Sequence, residues 1–368
     1  MMTSPLRIAL IGAGAMGRQH AGYIANEPNA QLVAIADPFS DALATELGVT
    51  HFNDHLDMLD NVRPEAVIIA NPNDLHVDTA LDCMSYGIPV LLEKPVASSR
   101  EGAERLLNAQ RQYDTPVLVG HHRRHNPVTM RTKEVIDSGQ LGRLATITAM
   151  WQTCKPTEYF EADWRQQRGA GVVLINLVHD LDLMRHLCGE ISALQASTNN
   201  ALRGYEVEDS AAILLEFENG ALGTLVGSDA VVSPWGWDQN INEVPLYAKH
   251  LDQGCYYLAG TQAALTVPQM RLWQYAGPHH WGHNLNEQTL AVADGSAQQN
   301  QLRHFIQVAS GKTLPLVSIQ DAVRTMIVID AIEEAAASRC TTHDPWLIYT
   351  PCLPEQVAKL STIQCRRE

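Results

Sequence analysis

The sequence predicts an α/β protein: an N-terminal Rossmann-type, doubly wound parallel sheet, then a C-terminal α/β domain with an open, mostly antiparallel sheet. Three observations predict it. Short apolar runs alternate with amphipathic stretches up to residue 121. A glycine-rich turn follows the first of those runs directly. Beyond residue 121 the strand-like runs come mostly in succession, with hairpin punctuation.

LRIALIG (6–12) is a continuous apolar run, as expected of a strand covered on both faces. QLVAIAD (31–37), EAVIIA (65–70), IPVLLE (88–93) and TPVLVG (115–120) read the same way. LHVDTALDCMSYG (75–87) and REGAERLLNAQRQYD (100–114) are amphipathic and read as helices. Gly87 stops the first of them, and Pro89 opens the next strand. A helix is expected at about 127–138, a long strand at LATITAMWQTC (144–154) and a helix at VVLINLVHDLDLMRHLCG (172–189). ISALQAST, DSAAILLEFENG, ALGTLVGSDAVV and AALTVPQMRLWQY then read as strands, with Asn219-Gly220 as a hairpin turn. DAVRTMIVIDAIEEAAASR (321–339) is a late helix able to pack on either domain. The domain limits expected are 1–121 and 122–340, with a tail at 341–368.

Composition narrows the function. A chain of 368 residues exceeds one small core. The net charge of −15 argues against nucleic acid and anionic membranes as main partners. No apolar run reaches the ~18 residues that span a bilayer, and the start lacks a secretory signal. Seven cysteines with no C-x-x-C fit a reduced, cytoplasmic chain.

Gly12-Ala13-Gly14-Ala15-Met16-Gly17 lies between the first strand and a helix, the setting G-x-G-x-x-G requires. The glycines allow a tight turn and close approach of a pyrophosphate, and the helix N-terminus attracts the anion. Asp37, twenty residues past Gly17, ends the second strand. An acid there binds the ribose hydroxyls of NAD and repels the extra phosphate of NADP. NAD is therefore expected, with NADP second. Lys94, in Glu93-Lys94-Pro95, stands at a strand's carboxyl end, where open parallel sheets hold ligands.

Taken in order, GAGAMG, ANPNDLH (70–76), EKP (93–95), VGHHRRHNP (119–127), WR then GAG (164–171) and NLVHDLDLMRHL (176–187) resemble the Gfo/Idh/MocA family of NAD(P)-dependent oxidoreductases. The resemblance spans roughly residues 5–340 and implies an inositol- or sugar-dehydrogenase-like enzyme. It implies that Lys94 and His179 face nicotinamide and substrate, and that Asn71, Asn73, His76 and Glu93 line the cofactor. It allows a cis Lys94–Pro95 bond and a homo-oligomer, dimer or tetramer. One departure stands out. Family members often carry Asp four residues before the helix histidine; here that residue is Ile175, with Asn176 next to it. Asn176 can hydrogen-bond but cannot act as a base. The proton therefore goes to His179, and Lys94 polarises the reacting oxygen. Asp180 or Asp182 either orients the imidazole or is a solvent-facing or capping acid.

VGHHRRHNP packs three histidines and two arginines into residues 121–125. Strand alternation would send His121 and Arg123 to one side and His122 and Arg124 to the other. By resemblance His122 and Arg123 face the pocket, while Arg124 and His125 pair acids at the domain junction. Such a pocket suits a polyhydroxylated or carboxylated small molecule. Interleaved arginines disfavour a metal, as does the lack of a partner acid near His279-His280 and His283, so no metal is expected. Trp151, Trp164 and Arg165 are further pocket candidates, either tryptophan equally a core residue. The leading function is NAD-dependent oxidation of a secondary alcohol of a cyclic polyol, sugar or sugar acid. The alternatives are a dehydrogenase of a carbocyclic cis-dihydrodiol carboxylate and a non-catalytic NAD-binding sensor.

Overall fold

The computed structural model describes residues 4–243, 245–338 and 342–343. The first sheet holds β1 (Leu6–Ile11), β2 (Ala30–Ala36), β3 (Thr50–Phe52), β4 (Ala66–Ile69), β5 (Val90–Leu92) and β6 (Val117–Val119). Its order is β3-β2-β1-β4-β5-β6, and every pair is parallel. The chain moves outward from β1 in one direction and then, from β4, in the other. The switch between β1 and β4 opens a crevice at the strands' carboxyl ends. β4, β5 and β6 are buried at every residue, which is why they read as unbroken apolar runs. Helices α1 (Ala15–Ala25), α2 (Ala42–Leu47), α3 (His55–Val62), α4 (His76–Ser85) and α5 (Arg100–Gln112) complete the Rossmann domain.

The second domain opens with α6 (Pro127–Asp137), whose N-cap Asn126 accepts the Val128 N–H. Then follow β7 (Leu144–Gln152), a π-helical turn at Val173–Leu177 and α7 (Val178–Cys188). β8 (Ile191–Asn199), β9 (Ser210–Phe217), β10 (Leu222–Ser228), the short α8 (Trp237–Asn240), β11 (Tyr256–Gly260), β12 (Ala263–Val267), β13 (Arg271–Tyr275) and β14 (Leu285–Thr289) come next. With β15 (Thr342–His343) the sheet runs β14-β13-β12-β11-β7-β10-β9-β8-β15. β7 and β10 run parallel; the other pairs are antiparallel. The expected open, mostly antiparallel sheet is present. The run expected as one strand at AALTVPQMRLWQY is a hairpin instead. Pro268 cannot donate to a ladder and Met270 turns with φ 53°, so β12 and β13 fold onto each other.

The last helices join the two domains. α9 (Ala297–Ala309) buries Leu302 and Phe305 in the Rossmann core. α10 (Ile319–Ser338) places Val323 and Ile327 in that core and Val328 and Ile332 in the second. α9 gave no clear signal in the sequence. Apart from β15, the tail expected at 341–368 lies outside the described residues.

Candidate active site

The glycine loop is fixed by close packing. Gly12 has φ +99°, and a Cβ there would stand 2.5 Å from the Ala70 carbonyl oxygen. A Cβ on Gly17 would stand 2.0 Å from the Gly12 oxygen. Gly14 differs: nothing lies within 4 Å of its Cβ position. The loop therefore leaves room above the α1 N-terminus, beside Ala15 and Met16, where unpaired N–H groups favour an anion. Asp37 braces this loop. Its Oδ2 accepts the Ala13 N–H at 2.8 Å, and its Oδ1 accepts those of Phe39 and Ser40 at 2.8 and 3.1 Å. These residues fit a dinucleotide: open space for the pyrophosphate and a carboxylate at the next strand end for the ribose.

A cleft of about 450 Å³ opens beside this loop. Met16, Asn71, Asn73, His76, Glu93 and Lys94 border it from the first domain. His122, Arg123, Asn176 and His179 border it from the second. Lys94 follows β5 through a cis bond to Pro95. Burial lowers its pKa, Glu93 opposes that shift and Arg123 adds to it. Glu93 Oε1 lies 2.7 Å from His20 Nε2, both side chains buried. Burial alone would raise the Glu93 pKa; the His20 bond and the charges of His20, His122 and Lys94 override it and bring it to about 2. The His76 ring bridges the Pro95 and Asn71 carbonyls at 2.8 and 3.0 Å, tying the Lys94 turn to the end of β4. Asn71 Nδ2 donates to Thr79 at 2.9 Å, while its buried Oδ1 has no partner among the described residues.

The histidine–arginine run does not continue β6. Residues His122–His125 form a 3₁₀ turn, so strand alternation fails. His122 and Arg123 do border the cleft, but Arg123 is no open clamp. It is 3% exposed, lies 3.4 Å from Asp180 and 3.2 Å from Asp238, and stacks on Trp237. Arg124 grips Asp182 through two bonds of 2.8 and 2.7 Å and also reaches Asp321. His125 pairs another histidine, His304, at 2.8 Å rather than an acid. His121 borders a separate cavity beside Ser98 and Asp330.

His179 rises from the first turn of α7. Its ring centre is 5.3 Å from that of His122, and its buried Nδ1 has no partner among the described residues. Burial, then Lys94, Arg123 and His122, push its pKa well below 6.5, which favours the neutral imidazole. Neither acid orients it: Asp180 is buried against Tyr256 and Arg123, and Asp182 against Arg124. Both acids are also buried rather than solvent-facing. Asn176 bonds elsewhere too, its Oδ1 accepting from Lys155 at 2.7 Å.

Three pocket candidates fall away from this cleft. Trp151 is a core residue, 1% exposed, donating to Asp238 at 2.8 Å. Trp164 is 55% exposed, and Arg165 lies on the Tyr159 ring and bonds its carbonyl. Neither borders the cleft. The sequence reading missed His20, Asp238, Tyr247 and Gln301, which do. Among these, only His20 carried a signal, three residues past the last glycine of the phosphate loop. Near His279–His283 the rings are exposed, and among the described residues no metal-holding group of His, Cys, Asp or Glu forms.

Fold and phosphate loop together define an NAD-binding oxidoreductase. Residues 6–121 match the oxidoreductase family model with the NAD-binding Rossmann fold, and residues 129–264 match the GFO/IDH/MocA C-terminal domain. The chain belongs to the Gfo/Idh/MocA family. It is 27% identical over 226 residues to the rhizopine catabolism protein MocA of Rhizobium meliloti, covering 59% of this chain and 69% of that one. It is 28% identical over 249 residues to the NAD(+)-dependent scyllo-inositol 2-dehydrogenase of Bacillus subtilis, covering 64% and 70%. An oxidoreductase structure from Agrobacterium radiobacter superposes with a TM-score of 0.78 at 20% identity, covering 94% of this chain and all of the other.

Proposed function

We propose that this chain oxidises a secondary alcohol of a cyclic polyol, sugar or sugar acid, with Lys94 holding the reacting oxygen and His179 taking its proton. One observation carries the reading: a histidine whose buried Nδ1 has no partner among the described residues borders the same cleft as a partly buried lysine. The neutral imidazole accepts the hydroxyl proton. The Lys94 ammonium stabilises the alkoxide that develops. Bound NAD supplies the acceptor for the hydride. Asn71 Oδ1, an acceptor without a partner, is suited to a donor on the cofactor or substrate. The inositol dehydrogenases among the relatives support the polyol class. The dihydrodiol-carboxylate alternative drew on the density of arginine and histidine at residues 121–125, and there Asp180 and Asp238 already engage Arg123.

The same proposal includes a homo-oligomer in a reducing compartment. One face of the second sheet leaves Leu214 and Leu222 more than half exposed. Cys83, Cys188 and Cys255 are free and buried. Among the described residues no helix is long and apolar enough to cross a membrane.

The test is NADH formation across inositols, aldoses and sugar acids, with the wild type and Lys94→Met. Turnover by the wild type, and a fall of about 10²–10³-fold in kcat for the variant with NAD affinity kept, is expected. Equal turnover by both proteins would remove Lys94 from the chemistry.

A further inference from the structure

We infer that Lys155 and Asn176 form a substrate subsite that donates to an acceptor oxygen and favours a carboxylate. The inference rests on the dehydrogenase reading above. Lys155 is buried at 7% exposure and takes no part in the proposed chemistry. Its ammonium lies 2.7 Å from Asn176 Oδ1 and 3.1 Å from Asp229 Oδ2, with the Tyr159 ring centre 4.7 Å away. An ammonium only donates. Whatever else the amide could do, its oxygen must therefore face Lys155. Asn176 borders the cleft. With its oxygen engaged by Lys155, what it offers a ligand is the Nδ2 amide, a donor.

A donor needs an acceptor oxygen opposite. Local charge then selects among oxygens. Asp229 faces two cations, Lys155 at 3.1 Å and Arg203 at 2.8 Å. Among these three ion-paired side chains one positive charge is in excess, one hydrogen bond behind the amide. Burial pushes the Lys155 pKa down, and Asp229 opposes that shift. A surplus charge in a poorly solvated place attracts an anion more than a hydroxyl. Arg123 cannot play this part, because two carboxylates already face it. Lys155 is accordingly a positioning residue, acting on the ligand through Asn176. The π-helical turn at Val173–Leu177 carries Asn176, and its bond to Lys155 shows which way that side chain reaches.

The test uses the NAD-loaded protein and two probes that share a ring, D-glucose and D-glucuronate. Lys155→Met keeps the side chain's length without its donor, and Arg203 still neutralises Asp229, so the variant has the means to fold; a thermal melt checks that. The expected result is a KM for glucuronate raised about tenfold or more, with kcat changed less than about twofold and a smaller effect on glucose. Asn176→Asp, which turns the donor into an acceptor, should shift preference the same way. Equal effects on both sugars, or an unchanged KM, would overturn the subsite. A second readout needs no turnover: the Asn176 side-chain amide resonances of ¹⁵N-labelled wild type, titrated with glucuronate. They shift on saturation if Nδ2 faces the ligand and stay fixed if it does not. Shifted resonances without turnover by any polyol would keep the subsite and sink the dehydrogenase reading. Turnover with fixed resonances would do the reverse.

Discussion

Replacing Gly14 by alanine adds a methyl group where the structure has nothing within 4 Å. The backbone there has φ −68° and ψ −165°, which an L-residue adopts without strain. The folded state therefore loses nothing, and the unfolded chain loses freedom, worth about 0.4–1 kcal/mol in favour of folding. In a chain of this size the melting temperature should rise by a few degrees at most. The same methyl stands at the α1 N-terminus, in the space left for the pyrophosphate. Losing one charge-assisted bond there costs about 1.5–3 kcal/mol, or roughly 10–150-fold in the Kd for NAD. Gly17→Ala is the control with the opposite sign. Its methyl would stand 2.0 Å from the Gly12 oxygen, a backbone atom with little freedom to move. Overpacking of that kind costs about 1–3 kcal/mol of stability. Calorimetric NAD titration and thermal melts of both variants read the two effects separately. Gly14→Ala binding NAD like the wild type would remove the phosphate from this loop. A Gly17→Ala melt equal to wild type would refute the packing account.

Three other outcomes follow from the same geometry. Asp37→Ala should weaken NAD binding and narrow its preference over NADP; an unchanged ratio of the two Kd values would take Asp37 away from the ribose. Arg123→Ala should cost about 3–5 kcal/mol in urea unfolding, because it strands buried Asp180 and partly buried Asp238; a loss below about 1 kcal/mol would mean the pair is solvated. Acid should destabilise the protein early. His121, His125, His179 and His186 all have pKa values lowered from 6.5, chiefly by burial, to about 3 for His125 and about 4 for His186. The unfolded chain then binds protons first, so stability is complete above pH 6.5 and declines as pH falls toward the folded values. Asp180, raised to about 6 mainly by burial, acts in the opposite sense between 3.8 and 6. A melting temperature flat between pH 6.5 and pH 5 would contradict the histidine account.

The Rossmann half was legible because its strands are buried on both faces and its glycines serve packing that only glycine permits. β3 was not, since its three residues THF are too few for a pattern. The cleft was half legible. Residues inside motifs, such as Asn71, Lys94, His122 and His179, do border it. What stayed illegible were the partners that lie far away in sequence. Arg123 finds Asp238 across 115 residues, and His125 finds His304 across 179. Trp151 was open between pocket and core because alternation in β7 says only which face it takes, and that face is core. Lys155 stands in no motif, and only the fold brings its ammonium to Asn176.

Under the proposed mechanism the charges of the cleft couple Lys94 to His179. Two cations, Lys94 and Arg123, help keep the imidazole neutral. That makes His179 ready to receive a proton but a weaker base than free imidazole. In that mechanism the alcohol has to be made more acidic to match, and the Lys94 ammonium is the group proposed to do this by stabilising the alkoxide. Lys94→Met removes both effects at once. His179 becomes more basic, because one of its neighbouring cations is gone, while the alcohol loses its activator. The acid limb of the kcat/KM profile should therefore move to higher pH even as the rate falls. A fall in rate with the limb unmoved would separate the two residues and leave the proton to another group.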